Sequence, residues 1–167
     1  MTLIVEDGSA LVNSESYCSV AFADDYHAKR GNVAWDVVDD KEAALRKATD
    51  YMTQVYRNAW QGFRYRTYQS LDWPRTGVVV DRFRVILATV VPPEIMAACA
   101  ELALRASANA LYADQTQLVK SKKVGPIEVV YADGGSPALR FKAVDAILAP
   151  YLWGNSTGGA SYGTIRS

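Results

Sequence analysis

The run VPPEIMAACAELALRA at positions 91–106 constrains this chain more than any other segment. Proline suits the first turn of a helix, where its missing N–H is not needed, so Pro92-Pro93 opens one. Ile95, Met96, Cys99, Leu102, Ala103 and Ala106 then recur at helical spacing as an apolar stripe. Ala97, Ala98, Ala100, Ala108 and Ala110 crowd the other faces and leave few polar positions. A helix with so little polar surface has to be enclosed. It is therefore expected at the centre of the domain, touching its own core and also a neighbouring subunit.

Three further helices are predicted around it. One runs from about Ser19 to Arg30, with Ser19 as cap and Gly31 as stop. The next begins at Asp39 or Asp40, where Asp39 and Glu42 make a box-like start, and runs to about Trp60, before Gly62. Its stripe of Ala44, Leu45, Ala48, Tyr51, Met52, Val55 and Tyr56 is one helical face. The last covers about Leu139 to Leu152, with Val144, Ile147, Leu148 and Leu152 on one side. The connection from Gln61 to Val91 is long enough to be functional or partly stranded, and it contains Trp73-Pro74. Lys120–Tyr131, KSKKVGPIEVVY, alternates as a strand does and predicts a short hairpin. The fold class is thus mainly α, a small bundle of about four helices with a long loop and a short β-hairpin. Residues 1–153 form the domain, and GNSTGGASYGTIRS at 154–167 is an extended, flexible C-terminal tail.

With 167 residues, half of them apolar, the chain can bury a core as one domain. Eighteen basic and eighteen acidic side chains cancel, so no overall charge draws it to nucleic acid or an anionic membrane. Its apolar runs are too short to span a bilayer. The first residues carry Glu6 and Asp7 and lack a secretory pattern, so folding in a cytosol is expected. Cys18 and Cys99 are far apart and outside any CxxC pair, which favours buried free thiols.

Reactive chemistry has little to work with. The only histidine is His27, beside Asp24 and Asp25, and its plain reading is a partly exposed helix residue bonded locally. GxxxxGK[ST], GxGxxG, HExxH and GxSxG are all missing, so neither an enzyme nor a cofactor or metal site is expected. Charge is uneven, however. Residues 1–56 hold ten acids and five bases, whereas 57–86 hold two acids and six arginines, which suits subunits meeting acidic face to basic face. Those arginines (Arg57, Arg64, Arg66, Arg75, Arg82 and Arg84) are interleaved with Trp60, Phe63, Tyr65, Tyr68, Trp73 and Phe83. That mixture is what a single-strand binder uses to hold a charged backbone and stack bases, although packed aromatics and interface arginines give the same composition.

Taken in order, the blocks LIVEDGSALVNSESYCSVAFADDYHAKRGN, DKEAALRKATDY, SLDWPRTGV, VPPEIMAACAELALRA, KVGPIEVVY and FKAVDAILAPYL resemble one family across about Leu3–Leu152. It is that of the head-to-tail connector, or adaptor, proteins of long-tailed phages, which includes members labelled DnaT-like single-strand DNA binders. The resemblance implies a virion neck protein that forms a closed homo-oligomeric ring of twelve copies under the portal. Its partners would be the portal protein, the next neck or tail-completion protein, and double-stranded DNA passing through the channel. It implies portal binding by Tyr151, Trp153, Tyr162, Ile165 and Arg166, and a subunit interface at Arg64, Arg66, Trp73 and Arg75. The channel would be lined by Lys120, Lys122 and Lys123. The second reading is a single-stranded DNA-binding replication accessory protein, supported by the arginine–aromatic stretch and weakened by the zero net charge.

Overall fold

The computed structural model describes residues 2–109, 111, 121–124, 127–130 and 141–154. In chain order its elements are α1 (Val20–Ala28), a 3-10 turn (Val33–Trp35), α2 (Lys41–Tyr56), β1 (Phe63–Arg64), β2 (Arg75–Thr76), β3 (Val79–Val80) and β4 (Arg84–Val85). There follow α3 (Pro93–Ala108), β5 (Ser121–Val124), β6 (Ile127–Val130), α4 (Lys142–Leu148) and a second 3-10 turn (Ala149–Tyr151). The strands pair antiparallel as three separate ribbons, β1 with β2, β3 with β4 and β5 with β6. Four helices and a hairpin at the end of the third are what the sequence pattern predicts. Of the expected tail at 154–167, Gly154 is described and 155–167 lie outside the described residues.

Local chemistry sets the helix ends. The Ser19 hydroxyl accepts from the Phe22 amide at 3.1 Å, and the chain leaves α1 through Gly31 at φ +67, a conformation open to a residue without Cβ. Asp40 rather than Asp39 caps α2, accepting from the Ala43 amide at 2.8 Å. That helix also ends at Tyr56 and does not reach Trp60, because the indole of Trp60 is drawn into the core and its backbone bridges to Leu152. In α3, Pro93 occupies the first turn as expected.

The core lies where α1, α2 and α4 pack on α3. Ala98, Ala100 and Ala103 of α3 are wholly buried, and such short side chains let neighbouring helices approach closely. Leu45, Met52, Ile95, Leu102 and Leu148 are fully enclosed, each contributing about 1.5–3 kcal/mol of burial. Glu101 and Arg105 on the less buried side of α3 form a 2.6 Å ion pair. Cys18 and Cys99 are free and buried, as expected; the Cys99 Sγ lies 3.4 Å from the Thr49 hydroxyl and 3.8 Å from that of Ser16. Among the described residues, no helix is long and apolar enough to cross a membrane.

His27 departs from expectation: it is wholly buried, not partly exposed. Its Nε2 lies 3.0 Å from the Ala100 carbonyl, which only a protonated Nε2 can satisfy, and its Nδ1 accepts from the Asn32 side-chain amide at 3.1 Å. Both nitrogens are occupied by the neutral ring, and burial lowers the histidine pKa further. It is a packing residue joining α1 to α3.

Ahead of α1, the carboxylate of buried Glu6 gathers its own loop, accepting from the amides of Gly8, Ala10 and Leu11 and from the Ser14 hydroxyl at 2.9–3.0 Å. Ser70 then ties that loop to the long connection, its amide donating to the Leu11 carbonyl at 2.9 Å.

Candidate nucleic-acid interface

The connection between α2 and α3 is seated on a row of aromatic rings. Tyr56, Trp60, Trp73 and Tyr151 meet in sequence with centroids 5.7, 5.8 and 5.6 Å apart, the last two contacts edge-to-face. Trp73 and Tyr151 are buried, and the Tyr151 hydroxyl donates to Glu94 at 2.8 Å. The Trp73-Pro74 peptide is cis. Around it two polar side chains stitch the loop together. Arg75, almost wholly buried, donates to the carbonyls of Gln61 (2.7 Å), Gly62 (2.8 Å) and Asp72 (3.1 Å). Burial lowers its pKa, while Asp72 and Tyr17 oppose that. Buried Gln69 donates to the carbonyls of Leu71 and Pro74 at 2.9 and 3.0 Å and accepts from the Arg66 amide at 2.7 Å.

The first ribbon on this frame is inverted relative to an ordinary half-buried one. Register pairs Arg64 with Arg75 and Phe63 with Thr76. The two arginines point inward, and Arg64 donates to the carbonyls of Gln69 and Leu71. Because side chains alternate along a strand, Phe63 and Tyr65 are sent outward. Phe63 is 76% exposed, and Tyr68, at the end of the same turn, is 82% exposed. The Arg66 guanidinium lies over the Tyr65 ring at 5.5 Å. Arg57, at the end of α2, is half exposed and 3.4 Å from the buried Asp72 carboxylate. Three exposed aromatic rings and the Arg66 guanidinium thus stand on one loop, with Arg57 at the helix end that leads into it.

A second ribbon adjoins the first through Gln61, whose side-chain oxygen accepts from the Val79 amide at 3.4 Å. Val78 and Val80 are buried, whereas Val79, Val85 and Leu87 point outward. Phe83 stands in its turn at 86% exposure, between Arg82 and Arg84. Arg84 is close to Asp81 (3.4 Å) and Glu94 (3.9 Å).

The residues singled out from sequence therefore scatter. Trp73, Arg75 and Tyr151 are enclosed by their own chain, and Arg64 is spent on loop carbonyls. Arg66 and Trp153 are exposed. Lys122 and Lys123 lie on β5, in register with Val129 and Glu128, while Lys120, Tyr162, Ile165 and Arg166 fall outside the described residues. Gln69, which organises the turn, carries no sequence signal that separates it from an ordinary surface glutamine. Among the described residues, no group of three His, Cys, Asp or Glu side chains could hold a metal ion.

Fold and surface define a small helical protein with exposed aromatic rings beside positive charge. The chain matches, over residues 1–167, the family model described as "Putative DnaT-like ssDNA binding protein", and it belongs to that family. Searches of the curated proteins and of the solved structures return no match. The family match corrects the expectation of a virion head-to-tail adaptor. It points to single-stranded DNA, not to a portal, a neck or tail partner, or a twelve-copy ring around a duplex-filled channel. The physical ground agrees with the correction. Trp73 and Arg75, expected at a ring interface, are inside the fold, and Tyr151, expected on a portal, is part of the aromatic row.

Proposed function

We propose that this protein binds single-stranded DNA along the face formed by Phe63, Tyr65 and Tyr68, with Arg57 and Arg66 holding the backbone, and that it performs no chemistry on the strand. The observation that carries the reading is the inverted ribbon. A solvent face normally takes the arginines and a core the rings, whereas here Arg75 is buried, the half-buried Arg64 turns its guanidinium onto loop carbonyls, and Phe63 and Tyr65 are outside. Exposed rings have no packing role, but they offer flat apolar faces on which successive bases can stack. The family description supports the same substrate. The zero net charge is no obstacle, because the strand needs cations only along its path, and residues 57–86 are locally basic.

The test is fluorescence anisotropy with a labelled mixed-sequence single strand. Tyr68→Ala removes one stacking ring at an exposed site and leaves the core untouched. Stacking contributes about 1–3 kcal/mol per base, so the variant is expected to bind at least about fivefold more weakly. A wild-type protein that fails to bind the strand refutes the proposal, as does a Tyr68→Ala variant with unchanged affinity.

A further inference from the structure

The second ribbon has a face that the strand-binding site does not use. On an antiparallel ribbon with one buried side, the outward positions are ordinarily polar. Here register places Val79 opposite Val85, so they share the outward face, and Leu87, two residues on, follows the same alternation. All three are exposed, Leu87 at 69%. Beyond them the turn carries Phe83, flanked by Arg82 and Arg84. The turn is tight: Asp81 and Arg82 both have positive φ, +52 and +70, without being glycine. Its base is fixed by buried Val78 and Val80 and by the Ile86 amide donating to the Val78 carbonyl at 2.9 Å.

An apolar floor, a projecting ring and a rim of arginines together fit one object closely, the open end of a duplex. A terminal base pair presents a flat apolar face with a phosphate chain on either side. A projecting apolar side chain at a base step is a known physical means of unstacking it. Resting on the reading that the neighbouring face holds a single strand, we infer that the β3–β4 ribbon recognises the junction where single strand meets duplex. Phe83 wedges in at the terminal base step and unstacks it, Val79, Val85 and Leu87 lie beneath the opened pair, and Arg82 and Arg84 face the phosphates. Arg84 is released from exposed Asp81 and half-buried Glu94 on binding, which costs little because Arg84 is itself exposed, both contacts are long (3.4 and 3.9 Å) and Glu94 keeps the Tyr151 hydroxyl. Gln61 bridges the two ribbons, so the strand leaving the duplex emerges next to the ribbon that carries Phe63.

The experiment compares three oligonucleotides, namely a single-stranded arm, the same arm joined to a duplex, and the blunt duplex alone. 2-Aminopurine replaces the adenine of the terminal pair. Wild-type protein is expected to prefer the arm-plus-duplex at least tenfold over the arm alone, with 2-aminopurine fluorescence rising as the pair unstacks. In Phe83→Ala the preference falls to within twofold and the fluorescence change disappears, while arm binding is retained. Phe83→Trp restores both. The inference is overturned by a wild type that binds arm and arm-plus-duplex equally, or by Phe83→Ala weakening both by the same factor, as a plain stacking ring or a protein-docking face would behave. Thermal melting of each variant separates binding loss from unfolding. If the wild type binds neither the arm nor the arm-plus-duplex, the single-strand reading fails and this inference with it; if the arm binds without junction preference, only the inference falls.

Discussion

Removing the Arg66 guanidinium should alter the salt dependence of single-strand binding by a calculable amount. Only exposed cations can exchange counterions with a backbone. Beside the rings these are Arg57 and Arg66, since Arg75 is buried and Arg64 is committed to carbonyls. A single strand contributes a slope in log affinity against log salt of about −0.7 per neutralised phosphate, so two arginines give about −1.4. A fourfold rise in salt then weakens wild-type binding about sevenfold, and Arg66→Gln, left with about −0.7, only about 2.6-fold. Arg66 is chosen because among the described residues its side chain carries no ion pair, only the Tyr65 ring beneath it, so its loss leaves no buried charge there. Arg57→Gln would instead strand the carboxylate of Asp72, which is buried at 1% exposure. The assay is anisotropy with the same labelled strand in buffers spanning about 50 to 200 mM salt. A slope that stays the same in Arg66→Gln, or a wild-type affinity indifferent to salt, would refute the assignment of backbone contacts to this face.

Further outcomes follow from the interior. His27 is held neutral and its pKa is lowered by burial, so the unfolded chain takes up a proton first as pH falls through about 6.5. Stability should therefore drop between about pH 7 and pH 5, and His27→Gln, measured by urea titration at both values, should flatten that window. Asp24 and Glu15, held low chiefly by Lys41 and Arg46, act only below about pH 4, and Asp50, raised by burial, works in the opposite direction in both proteins. Gly62→Ala should cost roughly 1–3 kcal/mol, because residue 62 sits at φ +64 and an added Cβ would lie 2.1 Å from the Thr76 carbonyl oxygen; an unchanged urea midpoint would contradict this. Arg75→Gln leaves buried carbonyls without donors and is expected to lower the melting temperature by several degrees before any effect on binding is seen.

The helices were legible because their information is periodic and local. Ser19 and Asp40 cap, Pro93 opens and Gly31 closes, and the stripe from Ala44 to Tyr56 repeats at the helical interval. The β5–β6 hairpin was legible from alternation over several residues. Ribbons β1–β2 and β3–β4 have strands of two residues each, too short to show any period. The arginine–aromatic mixture marked the right stretch, but composition carries no direction. Arg64 and Arg66 look equivalent in sequence, and what separates them is the pleat of a strand set by partners elsewhere in the chain. The burial of His27 is invisible in sequence for a similar reason: its partner, the Ala100 carbonyl, belongs to another helix.

Gln61 has one more consequence. Its amide donates to the Tyr151 carbonyl at 2.9 Å and its side-chain nitrogen to that of Pro150 at 2.8 Å, while its own carbonyl receives Arg75 and its side-chain oxygen receives Val79. The last turn of the fold is thereby a wall of the loop that displays the rings. A protease cut just ahead of Ala149 would release that wall and unsettle the loop that displays the rings, yet leave the α1–α2–α3 packing standing, so damage to the ring-bearing surface and loss of fold could be pulled apart by a single scission.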